Sequence, residues 1–322
     1  MFLTITIFSG IRYGIGYDYY SYLEKIMSGN IDIKEPIPYF MMDLSNRYFP
    51  FLFFLLSSIF ISFFYYISIK LKSNDYLAST IFYVCFPFLF MGQLSVVRQG
   101  MASAVLLLAI TLSDKKLIYR LLLILLACLC HISALVGVLI LMPWGKVSKR
   151  ILWLMFLVSF VFGSVLLPVV MSVVGTGILG ADTTDLAMAY LQDDSVIEGR
   201  LLKYFIYFLN ILVLVNYDKL IKRDKDYAYY IGLMCLGASL LSIFSFQSTL
   251  ALRFCMFFFS VSIFLIPQLF RVLKINRLYY ISFVLLFIMQ IYIGSKTVRD
   301  QDNAGYSRTY PYRTIFEVYS QY

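Results

Sequence analysis

Long apolar runs separated by short charged clusters dominate this chain, and within each run the apolar positions are continuous rather than alternating. Such runs extend over 49–69, 76–97, 101–113, 117–130, 133–144, 151–174, 201–217, 227–246, 250–270 and 279–295. A helix needs about 20 apolar residues to cross the hydrocarbon core of a bilayer. The pattern therefore predicts helical membrane segments, and with the apolar stretch 1–10 the expected fold is an all-α polytopic transmembrane bundle of about 10–11 segments. Strands of a membrane barrel would alternate instead, so a barrel is disfavoured.

Composition agrees with the pattern. At 61% hydrophobic, 18% aromatic and 14% charged, the 322 residues hold too little polar surface to cover a soluble globule. Charge adds an orientation. The connections 70–75, 114–120, 145–150, 218–226 and 271–277 hold 15 of the 27 basic residues against five aspartates, a net of +10 that leaves −1 for the rest. By the positive-inside rule these connections are cytoplasmic, and the ten runs then alternate without conflict. The same loops facing anionic lipid account for the overall +9, so nucleic acid is not implied. No linker or internal repeat is evident, and residues 1–322 read as a single integral membrane domain.

At the amino end, the stretch 1–10 reaches only ~15 Å as a helix, about half a bilayer, so an upstream helix is expected to be missing. The outer side then holds the region 12–49, the loop 175–200, the tail 296–322 and the turns carrying Arg98 and His131. Met101–Ser113, Leu117–Cys130 and Ser133–Trp144 are short, about 18–21 Å as α-helices, which recesses those two turns in the outer leaflet. One tilted helix over 117–144 is the alternative, with His131 buried at mid-membrane.

Polar side chains on that side are the candidates for chemistry. His131 is the only histidine, set in an apolar stretch where a titratable ring costs free energy without a partner or water. Arg12 with Asp18, Arg98 and Arg253 complete the set, against the ordinary alternative of snorkelling or helix-end side chains. Other signals are weak. Gly14-Ile15-Gly16 does not continue as a phosphate-binding fingerprint. Asp182, Asp185, Asp193 and Asp194 read as solvated loop acids rather than metal ligands, and Cys85, Cys128, Cys130, Cys235 and Cys255 read as small buried hydrophobes. No metal and no cofactor are expected.

The phrase Ile11-Arg12-Tyr13-Gly14-Ile15-Gly16-Tyr17-Asp18-Tyr19, then Glu35-Pro36, Arg98-Gln99 opening a segment that closes on Asp114-Lys115-Lys116, and His131-Ile132-Ser133-Ala134-Leu135 follow in order. Together with Arg253 and Tyr310-Pro311-Tyr312, this ordered set resembles the EpsG family of membrane polysaccharide polymerases, related to the Wzy-type enzymes. The resemblance implies a Wzy-like or GT-C-like bundle in the bacterial cytoplasmic membrane, with its active site facing outward. The implied enzyme is a glycosyltransferase-type polymerase that joins repeat units carried on undecaprenyl diphosphate. Implied partners are that lipid-linked glycan, membrane lipids, and polysaccharide export or chain-length proteins.

In such a reaction the leaving lipid diphosphate needs fixed cations, and guanidinium binds phosphate oxygens bidentately. Arg98, Arg253 and Arg12 are the candidates, with Gln99 and Tyr19 as further substrate contacts. His131 or Asp18 would take the acceptor hydroxyl's proton, or His131 would simply hydrogen-bond the substrate. Tyr13, Tyr17, Tyr19 and Tyr20 suit sugar stacking, although interfacial aromatic belts predict the same residues. Two other functions compete. A flippase of lipid-linked sugars would also need polar access from the cytoplasmic side, and a membrane O-acyltransferase would leave the ordered arginine phrases unexplained.

Overall fold

The computed structural model describes residues 1–16, 18–87, 89–174, 196–244, 248–275, 277–288 and 312–319, with side chains left out at 164–174, 196–201, 248–250 and 318–319. Among these residues the regular structure is helical apart from one short pairing of two-residue strands. It forms two compact units, residues 1–141 with 274–322 and residues 142–273.

In the first unit, α1 (Phe2–Gly10) runs along α4 (Leu52–Lys72), and β1 (Arg12–Tyr13), α2 (Tyr19–Ser28) and α3 (Pro36–Arg47) lie between them in sequence. The 21 residues of α4 reach about 31 Å, enough to cross a bilayer. Among the fully described residues it is the one helix that is long and apolar enough to do so alone. Its Phe53, Phe54 and Tyr65 are fully buried.

The apolar run 76–97 is not one helix. Pro87 disfavours helical backbone at Phe86, which turns extended (ψ 116°), so α5 (Tyr76–Cys85) stops and a short α6 (Phe90–Ser95) precedes α7 (Val97–Thr111). A buried polar chain fixes α6: Tyr83 Oη–H donates to Gln93 Oε1 at 3.0 Å, Gln93 Nε2–H donates to Tyr65 Oη at 2.6 Å, and Tyr65 meets Ser103 Oγ at 3.4 Å. Gly100 lets α7 press on this chain, since a Cβ there would lie 3.0 Å from Gln93 and 3.3 Å from Ile61.

The stretch 117–144 divides as well. Helix α8 (Leu117–Cys130) ends at His131, and Ile132–Leu141 continues as a 3-10 helix. At ~2.0 Å per residue these ten residues reach about 20 Å rather than the ~15 Å of an α-helix, so the run is less short than its residue count suggests. Arg120 is not a solvated connection residue: it is buried in α8 and donates from Nη2 to the Ile140 carbonyl, holding the far end of the 3-10 helix. The chain returns to this unit with α15 (Arg277–Ile288), whose Tyr279 hydroxyl donates to the Ala78 carbonyl. β2 (Arg313–Thr314) then pairs antiparallel with β1, Arg12 opposite Thr314 and Tyr13 opposite Arg313, and leads into α16 (Ile315–Tyr319).

The second unit is built around α12 (Tyr227–Ile243), which packs on α9 (Lys149–Val174) and α13 (Ser248–Phe259). Gly163 of α9 and Gly232 of α12 are points of closest approach, because a Cβ would lie 1.9 Å from the Ser242 carbonyl oxygen or 2.7 Å from Trp144 Cβ. Two predicted segments bend sharply here. The run 201–217 becomes α10 (Val196–Val215) followed, after a 66° turn at Asn216, by α11 (Tyr217–Arg223) with its basic residues. The run 250–270 breaks by 64° between α13 and α14 (Ser262–Val272), where Ser260 Oγ–H donates to the Phe257 carbonyl at 3.2 Å and so competes with the helical ladder.

Candidate active site

Glu35 is the N-cap of α3 and has extended backbone (φ −74°, ψ 124°), the conformation that the following Pro36 favours. Arg98 is the second residue of α7, and His131 is the C-cap of α8, where the chain turns extended (φ −161°, ψ 123°). These three side chains, from three separate phrases of the sequence, meet. Arg98 Nη1–H donates to Glu35 Oε2 at 2.8 Å, and His131 Nδ1 lies 2.8 Å from Glu35 Oε1. Arg98 Nε–H donates to the Tyr22 hydroxyl of α2 at 3.1 Å, with the guanidinium 5.9 Å from the ring centroid. Tyr22 in turn packs on Phe53 of α4, with ring centroids 5.1 Å apart.

Exposure grades across the cluster: the side chain of Glu35 is 9% exposed, His131 18% and Arg98 30%. Burial alone would push the Glu35 carboxyl up, but the hydrogen bond from His131 and the charge of Arg98 outweigh it and hold the group below its ordinary value. The arrangement therefore places a fixed guanidinium and an imidazole side by side on an ionised carboxylate. Such a set can bind an anion and move a proton within a few ångströms.

Arg12 and Tyr19 form a separate group. The Arg12 guanidinium is buried and donates to the Ser9 carbonyl, to the Ile15 carbonyl at 3.2 Å, to the Leu94 carbonyl at 3.4 Å and to Ser58 Oγ at 3.5 Å. It lies 5.3 Å from the centroid of Phe54, on which Tyr19 stacks at 4.1 Å. The cavity beside Arg12 measures about 10 Å³, room for a single water and not for a phosphate. Asp18 is the N-cap of α2, and Gln99 is buried on α7 next to Arg98. Arg253 belongs to α13 of the second unit, and Tyr17 lies outside the described residues. Sequence reasoning named Arg98 and His131 and missed Glu35 and Tyr22 as their partners. The available signal was Glu35-Pro36 itself, an acid held at a helix start within the same ordered set of phrases.

Fold and cluster together are those of a helical membrane protein with a charged, hydrogen-bonded, part-buried cluster between its helices. The family model described as EpsG family matches residues 1–314, and the chain belongs to that family. It is thereby a membrane protein of polysaccharide biosynthesis. No curated protein and no solved structure matches the chain significantly.

Proposed function

We propose that this protein is a polysaccharide polymerase that joins oligosaccharide repeat units carried on undecaprenyl diphosphate, at the outer face of the bacterial cytoplasmic membrane. The observation that carries the reading is the convergence of Arg98 and His131 on one carboxylate. In the reaction, a sugar hydroxyl of the incoming unit attacks the anomeric carbon of the growing glycan. The carbon–oxygen bond to the lipid diphosphate breaks, its electron pair leaves with the diphosphate, and the hydroxyl proton passes to His131. Arg98 stabilises the charge that develops on the departing diphosphate. Its position in the first turn of α7 adds the helix N-terminus, which also favours an anion.

His131 is preferred to Asp18 as the base because Glu35 holds it beside Arg98. Arg12, fully engaged with carbonyls, is assigned to holding its own loop, with Tyr19 packing against Phe54. Arg253 and Gln99 stay candidates for further substrate contacts, and the bundle is taken as one multi-pass domain of Wzy-like or GT-C-like type working with export and chain-length proteins. The test is polymer length made by purified variants from lipid-linked repeat units, normalised to folded protein. Arg98→Lys keeps the charge but loses the planar fork, so polymer formation should fall at least tenfold, and Arg98→Ala should be no milder. Wild-type activity in both removes Arg98 from the mechanism. In cells, loss of the chain should accumulate single repeat units on lipid at the outer face; trapping on the cytoplasmic side would point to a flippase instead.

A further inference from the structure

The two oxygens of Glu35 are divided between partners of different kinds, Oε2 with the permanent cation Arg98 and Oε1 with the titratable ring of His131. We infer that Glu35 is a positioning residue which fixes the ring proton of His131 on Nδ1, so that the neutral ring carries its basic lone pair on Nε2. A diphosphate sharing Arg98 then leaves the carboxylate more fully to the ring. The reaction served is the one proposed above, but the geometry stands without it.

A carboxylate accepts and cannot donate, so the 2.8 Å contact is favourable only when Nδ1 carries a proton. A neutral imidazole has one proton, and with that proton committed to Glu35 the lone pair is on Nε2. Arg98 competes for the same carboxylate. An incoming diphosphate offers the guanidinium a bidentate partner of higher charge, and whatever it draws from Glu35 strengthens the hold of that carboxylate on the imidazole. Donor binding thus makes the base stronger at the moment it is needed. Among the described residues, the other charged or titratable groups near the cluster include Tyr22 of α2, bonded to Arg98, and Asp32, which feels Arg98 and is paired with Lys25. Lys34 adjoins Glu35 in the chain, Asp43 and Arg47 pair with each other on α3, and Arg120 on α8 is bonded to the 3-10 helix.

His131 is the only histidine in the chain, so a ¹⁵N-histidine-labelled sample in detergent or nanodiscs gives a single ring to follow by NMR. In the wild type the neutral ring should be the Nδ1–H tautomer, and farnesyl diphosphate, a short lipid diphosphate, should move its titration midpoint to higher pH. In Glu35→Gln the midpoint should fall by about one unit, and farnesyl diphosphate should move it less. Glu35→Asp, which keeps the carboxylate, should restore most of the midpoint. An Nε2–H tautomer in the wild type, or an unchanged midpoint in the folded Gln variant, overturns the inference. The acid limb of kcat/KM for polymer formation should follow the same midpoint. If the NMR result holds and the wild type forms no polymer, the polymerase reading fails and the positioning role stands; if polymer forms and the midpoint is unmoved, the positioning role fails and the polymerase reading stands.

Discussion

Glu35 serves two partners at once, and acid should undo both contacts together. Its folded-state carboxyl titrates below the ordinary value of 4.5, so the stability it contributes is complete above that value and is lost as pH falls through the lower, folded one. Melting curves in detergent should therefore show an acid-side loss that Glu35→Gln abolishes. Gly16 is a second position where one residue decides a neighbourhood. It has φ +108°, and a Cβ there would lie 2.2 Å from the Leu94 carbonyl oxygen, the same oxygen that accepts from Arg12. Gly16→Ala should cost about 3 kcal/mol, from backbone strain and displacement of that carbonyl, read as a lower melting temperature. Arg98 and His131 were legible in the sequence because charge in an apolar run is conspicuous. Glu35 was not, because an acid in a polar stretch looks like many others until the chain folds back on it.

At the scale of elements, periodicity located the apolar segments and misjudged their interiors. Pro87 breaks 76–97 through its effect on Phe86, and a serine hydroxyl competing for the Phe257 carbonyl accompanies the break in 250–270; apolar content alone registers neither. The 3-10 conformation of 132–141 was equally invisible, since it depends on Arg120 reaching the Ile140 carbonyl and on Gly137 fitting under Leu106, where a Cβ would lie 2.6 Å from Leu106 Cδ2. Glycines inside helices carry a related message. Gly163→Ala would place a methyl group against the backbone of Ser242, so α9 and α12 must separate. The expected cost is about 3 kcal/mol, measurable as a lower melting temperature; at Gly29, by contrast, alanine meets only the Asn46 amide at 3.6 Å, and its cost comes from the backbone (φ +70°) instead.

For the whole molecule, orientation is the property most open to test. Residues 115–116, 146–150, 219–225 and 271–277 are expected on the cytoplasmic side, with 175–200 and 296–322 outside. A cysteine at 185 should label from outside and one at 222 should not; the opposite pattern reverses the bundle. Tyr13→Cys with Arg313→Cys adds a second check, because directly opposed strand positions suit a disulfide and an oxidising exterior should form it. That strand pair also imposes a rule of parity. Tyr13 and Arg313 are ladder partners, so they lie at the same face, and every complete crossing of the bilayer between them must be matched by a return. The number of crossings is even, and a segment pair that dips in and leaves by its own face adds none. Any reassignment of the apolar runs, from spanning to buried or interfacial, has to be made two at a time.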